Sequence, residues 1–163
     1  METIIVGIGN PVLADDGVGL KVLDRLEERL RGRPGVALTR VCCGGIHLME
    51  AMAGYERAVI IDAITGGGGA PGTLYTFGPD DFSQTRNVCS SHDASLLVAL
   101  ELGDAVGLPL PGDVRIWAVE TEDVSTYSEV LTPAVERAVP VVVERVLGDL
   151  DSGQPRASRR TTE

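Results

Sequence analysis

The chain has 163 residues, 44% of them hydrophobic and 23% charged, with a formal net charge of -10. That is the balance of one globular domain with an ordinary core, and it opposes a nucleic-acid binder, which needs a basic footprint. No apolar run approaches the roughly 20 residues that span a bilayer.

Residues 3–8 form an unalternated apolar run ending at Gly7-Ile8-Gly9, as expected of a central strand covered on both faces. It follows Met1-Glu2-Thr3 directly, with no charged leader region, so the opening reads as a strand and not as a signal peptide. Asn10 to Ala14 is a loop. Asp15 or Asp16 can then N-cap a helix through about Leu30, with Val22, Leu23, Leu26 and Leu30 on one stripe, ended by Gly32 and Pro34. Val36 to Cys42 reads as a second strand, Ile46 to Ala53 as a short helix and Ala58 to Asp62 as a third strand. The run Gly66-Gly67-Gly68-Gly69 is expected to be mobile, and Pro71-Gly72 introduces a strand over 73–77. A helix follows from Asp93 to Leu102, opened by the His92-Asp93 corner, then a turn at Pro109-Leu110-Pro111-Gly112 and a strand from Val114 to Val119. Thr132 with Pro133 starts the last helix, whose stripe is Val135, Val139, Val142, Val143 and Val146, with a kink expected at Pro140.

From Asp151 onward Ser, Gly, Gln, Pro and Arg predominate, the composition of a disordered tail, so residues 1–150 make one domain and 151–163 lie outside it. Strand and helix alternate throughout, which predicts an α/β three-layer sandwich with a mostly parallel, twisted sheet of five strands. Three cysteines, Cys42, Cys43 and Cys89, are odd in number and two are adjacent. They fit a reducing cytoplasm, as small buried side chains, and lack the C-x-x-C spacing of a structural zinc site.

Three separated residues stand where a strand or loop hands over to the next element: Asp16, Asp62 and His92. In a parallel sheet these points lie along one edge, where open α/β sheets bind ligands. Two carboxylates and an imidazole suit a borderline divalent metal. Asp16 alone could be an ordinary cap, but with Asp15 beside it one carboxylate suffices for capping. Asp62 follows the apolar Val59-Ile60-Ile61, so its charge must reach the sheet's carboxyl edge or be buried at severe cost. His47, inside Ile46-His47-Leu48-Met49, reads as a helix-face residue. Other chemistries fit poorly. A dinucleotide fingerprint after Gly7-Ile8-Gly9 would need a small residue where Val12 stands, the glycine run lacks the Lys-Ser/Thr ending of a P-loop, and no G-x-S-x-G elbow occurs.

The stretch from Gly7 to Gly19, Gly-Ile-Gly-Asn-Pro-Val-Leu-Ala-Asp-Asp-Gly-Val-Gly, resembles the opening signature of the hydrogenase maturation endopeptidases. Gly44-Gly45, Asp62-Ala63 with Pro71-Gly72-Thr73, Ser91-His92 and Leu131-Thr132-Pro133 follow in the family's order, so the resemblance covers roughly residues 3–148. It implies a phosphorylase/hydrolase-like sandwich and a cytoplasmic, monomeric peptidase. Such an enzyme trims the C-terminal extension from the nickel-loaded large-subunit precursor of a nickel–iron hydrogenase. Carried over by position, the metal-contacting and catalytic residues are Asp16, Asp62 and His92, and the nickel arrives with the substrate. Metal-assisted and aspartic-type hydrolysis both remain open. Two positions depart from the family pattern: Cys43 where an acid often precedes the glycine pair, and Thr121 where Pro is frequent. A non-catalytic chaperone that binds the precursor or its nickel is the alternative.

Overall fold

The computed structural model describes residues 2–42, 46–78 and 93–152, with 93–99 described by backbone alone. Strands β1 (Thr3–Ile8), β2 (Val36–Val41), β3 (Arg57–Ile64), β4 (Leu74–Phe77) and β5 (Asp113–Glu120) form one five-stranded sheet in the order β2-β1-β3-β5-β4. β1 runs parallel to β2 and β3, and β3 parallel to β5; only β4 is antiparallel. Helices α1 (Val18–Arg29), α2 (Ile46–Met52), α3 (Asp93–Val106) and α4 (Pro133–Ser152) flank it. This is the expected α/β sandwich.

Side-chain alternation along the strands divides the core in two. Ile5, Val59, Ile61 and Val119 face Val22, Leu23 and Leu26 of α1 and the whole valine stripe of α4. Ile4, Val6, Ile8, Ala58, Ile60 and Ile116 face Leu48, Met49 and Met52 of α2, against which α3 packs. The burial of β1 and β3 along their full lengths explains their unalternated sequences.

Several boundaries differ from expectation. A single 3-10 turn over Ala14–Gly17 precedes α1, which starts at Val18 with Gly17 as its cap residue. Neither Asp15 nor Asp16 caps α1. β3 continues past Asp62 to Ile64 because β5 supplies ladder partners up to Glu120, whereas β1 stops pairing with it at Ile61. α3 extends to Val106. α4 passes through Pro140, which stands on its exposed side, and keeps Asp151 and Ser152 helical, so the unstructured end expected from 151 does not begin there. Residues 153–163 lie outside the described residues, as do Cys43, Gly44-Gly45, Cys89, Ser91 and His92. Among the described residues no helix is long and apolar enough to cross a membrane.

The amino edge of the sheet carries a buried ion cluster. Arg57, the first residue of β3, pairs through Nε with Asp113 at 3.1 Å and donates Nη1–H to the Asp149 carbonyl at 3.3 Å, and Arg115 pairs with the Asp149 carboxylate. A buried guanidinium needs such partners, and this network fixes α4 against the starts of β3 and β5.

Glycines set the opposite, carboxyl edge. A Cβ on Gly19 would stand 2.4 Å from the carbonyl oxygens of both Ile8 and Ile61, and one on Gly9 would strike the Asp16 carbonyl at 2.0 Å. The absence of side chains there lets α1 and the 14–17 turn settle on the ends of β1 and β3. Gly19→Ala forces backbone against backbone, so a loss of about 3 kcal/mol is expected, the upper end for overpacking. A thermal melt checks it. A variant melting within a degree of the parent would mean the contact is softer than drawn.

Candidate active site

Asp16 closes the 14–17 turn at 4% exposure, and its Oδ2 accepts the Asn10 N–H at 2.7 Å. Asp62, 5% exposed, accepts the Ala63 N–H at 2.8 Å on Oδ1. The 14–17 turn packs against β3, and Gly19 touches the carbonyl of Ile61, the residue before Asp62. The turn carrying Asp16 thereby lies against the strand carrying Asp62, near the carboxyl edge where β3 outlasts β1. Ala14, just before the acids, holds φ at 45°, a left-handed conformation that an alanine adopts only when its surroundings enforce it. The enforcing contact is its N–H donated to the Ser128 carbonyl at 2.7 Å.

Asp62 shares its strand face with Ala58 and Ile60, the side covered by α2 and α3. α3 leads through residues 107–112 to the start of β5 at the amino edge, where Gly54 donates its N–H to the Pro109 carbonyl. Its first residue, Asp93, is therefore turned toward the carboxyl edge. His92, the third predicted site residue, is outside the described residues; Asp16 lies in the 14–17 turn and Asp62 on β3, the strand that turn packs against.

Asp15, fully buried, has a different task from its neighbour. Its Oδ1 accepts the Thr132 N–H at 2.6 Å, and its Oδ2 accepts the Thr132 hydroxyl at 2.9 Å and the N–H groups of Glu122 and Asp123, each at 3.1 Å. One carboxylate thus ties the 14–17 turn to the β5–α4 loop and to the start of α4. The hydroxyl of Thr132, the residue before α4, is thus spent on Asp15.

Glu120 is a fourth buried acid at this edge, and sequence reasoning gave it no task. Its Oε1 accepts the Gly66 N–H at 2.9 Å and its Oε2 the Gly67 N–H at 3.0 Å, while the Tyr75 hydroxyl accepts the Gly69 N–H at 2.8 Å. The glycine run expected to be mobile is pinned, and a Cβ on Gly67 would come within 2.5 Å of Glu120 Oε2. A buried charge at the end of an apolar strand (the reasoning applied to Asp62) was the signal available for it. Thr121 explains its departure from the family pattern. It donates both its N–H and its hydroxyl to the Ile64 carbonyl, each at 2.9 Å, and a proline could donate neither.

Cys42 is exposed, not buried as expected, because β2 ends at Val41 and releases it. His47 is an exposed helix-face residue 3.8 Å from Glu50, as its context suggested. Among the described residues no cluster of three or more His, Cys, Asp or Glu could hold a metal ion.

Comparison with known proteins gives a consistent picture. A family model described as hydrogenase maturation protease matches residues 20–149. The hydrogenase 2 maturation protease of Escherichia coli K12 is 27% identical over 151 residues, covering 92% of this chain and 91% of that protein. The solved hydrogenase maturating endopeptidase HybD of E. coli superposes with a TM-score of 0.82 at 28% identity, over 94% of each chain. The nickel–iron hydrogenase maturation protease HybD of Thermococcus kodakarensis shares the fold at a TM-score of 0.76 and 24% identity, over 92% of this chain and 99% of its own.

Proposed function

The chain belongs to the hydrogenase maturation protease family and is an endopeptidase, and from that premise we propose that it removes the C-terminal extension of a nickel-loaded hydrogenase large-subunit precursor. The observation that supports this reading is a pair of nearly buried carboxylates, Asp16 in the 14–17 turn and Asp62 on β3, carried by two elements that pack against each other. Their oxygens, with His92 as the third contact, meet nickel that the precursor already holds. The metal is substrate, and it serves as the recognition handle. A weak oxygen-rich site does not strip nickel from stronger ligands, yet it distinguishes loaded from empty precursor by charge.

Hydrolysis then requires a water aimed at the scissile carbonyl and a base for its proton. A carboxylate of the pair takes that proton as the water oxygen bonds to the carbonyl carbon, and returns it to the departing amine nitrogen when the C–N bond breaks. Both acids are held by backbone N–H groups, so their orientation is set before substrate arrives.

Mass spectrometry of precursor incubated with the enzyme tests the reading. The nickel-loaded precursor should lose its extension and the metal-free precursor should keep it. A stable complex that never trims would replace the peptidase by a chaperone. Equal trimming of both precursors would remove nickel from recognition.

A further inference from the structure

The β5–α4 loop is stitched to the segment that leads into the acids. Ser128 donates its N–H to the Val12 carbonyl at 3.0 Å, Ala14 returns a bond to the Ser128 carbonyl, and Leu13 and Ser128 form a parallel bridge. In that register Val12 stands beside Tyr127. Val12 is exposed, Tyr127 is 87% exposed and Val130, two residues past the bridge, is 74% exposed. The remaining large exposed apolar side chains among the described residues, Ile46, Leu102, Val106 and Val141, lie on α2, α3 and α4. The bridge therefore carries exposed apolar side chains of its own, a patch formed by residues on both of its strands, and Asp15, the neighbour of Asp16, holds the loop that bears two of them.

The patch is bordered by one sign of charge. Glu122, Asp123 and Glu129 lie in the loop, and no Lys or Arg occurs between Arg115 and Arg137 or before Lys21. Asp123 is ionised at any working pH: hydrogen bonds from Thr126 and from the Ser125 amide hold its carboxyl at about 2. Such a surface repels nucleic-acid phosphates and anionic lipid headgroups. It also repels a second copy of a chain with a net charge of -10. An extended polypeptide carrying a large apolar side chain flanked by cations meets both of its properties.

We infer that the bridge between residues 12–14 and 127–130 is the docking surface for the basic, apolar stretch of the precursor that flanks the scissile bond. This rests on the proposed function and adds the sequence feature by which the substrate is held. The nickel contact reports that the precursor is loaded; the patch aligns the chain to be cut.

Steady-state cleavage of nickel-loaded precursor, with calorimetric titration of the same precursor, tests it on the full-length enzyme. The double variant Tyr127→Ala, Val130→Ala should raise KM and Kd about tenfold while kcat stays within about twofold, each truncated side chain being nearly free of internal contacts. Glu122→Gln with Glu129→Gln should raise KM at low salt and flatten its salt dependence. Val106→Ala with Val141→Ala, exposed valines outside the patch, should change neither constant. Unchanged KM and Kd in the Tyr127/Val130 variant overturn the inference. So does a wild type that sediments as a dimer through this patch, with the variant a monomer of unaltered KM. If the wild type binds precursor through the patch but does not trim it, the peptidase reading fails and the docking surface stands. If it neither binds nor trims, both fail.

Discussion

Asp16→Asn and Asp62→Asn should each lower kcat on nickel-loaded precursor by about 10²–10⁴-fold, the range for losing a positioned proton acceptor, and leave the melting temperature within a few degrees of the parent. The amide keeps a carbonyl oxygen for the Asn10 N–H at position 16 and for the Ala63 N–H at position 62. What disappears is the negative charge and the ability to take a proton. Residues acting as one unit lose activity non-additively, so the double variant should be scarcely worse than the more damaging single one. Kinetics and melting curves from one preparation separate chemistry from folding. Near-parental turnover by the double variant would sink the assignment of both acids.

Asp15→Ala is expected to behave in the opposite way, although the residue is next in sequence. Its carboxylate accepts four hydrogen bonds that converge from Glu122, Asp123 and Thr132. Hydrogen bonds to a charged group contribute about 1.5–3 kcal/mol each and are not additive. Removing the acceptor also leaves these part-buried donors unsatisfied by the protein, so a loss of about 4 kcal/mol is expected. At roughly 2–4 °C per kcal/mol for a domain of this size, the melting temperature should fall by about 10 °C or more. Asp15→Asn should fall between, because its carbonyl can serve Thr132 while its amide group opposes the remaining donors. Chemical denaturation gives the free energies directly. A melting temperature shifted by only a degree or two in Asp15→Ala would show that the clamp is not what holds the β5–α4 loop and the 14–17 turn together.

Local pattern determined the layers of this protein. The unalternated runs of β1 and β3 could belong only to strands covered on both faces, and the valine stripe of α4 could only face a core. The same local reading placed Asp62 toward the carboxyl end of β3, two residues before the strand in fact ends, because strand direction in a parallel sheet fixes which edge its last residues reach. Tertiary structure decided what each polar group at that edge does. Asp15 and Asp16 are identical in type and adjacent, and only partners 107 to 117 residues away in the chain make the first a clamp. The glycine run at 66–69 is bound because Glu120, 53 and 54 residues further on, offers its carboxylate to two amides. β3 outruns Asp62 because β5 continues beside it, and Cys42 is exposed because β2 stops one residue earlier. Apolar periodicity is written in neighbouring residues and can be read from them. A hydrogen bond is assigned by whichever donor the fold carries to within about 3 Å, and that is settled only when distant segments meet.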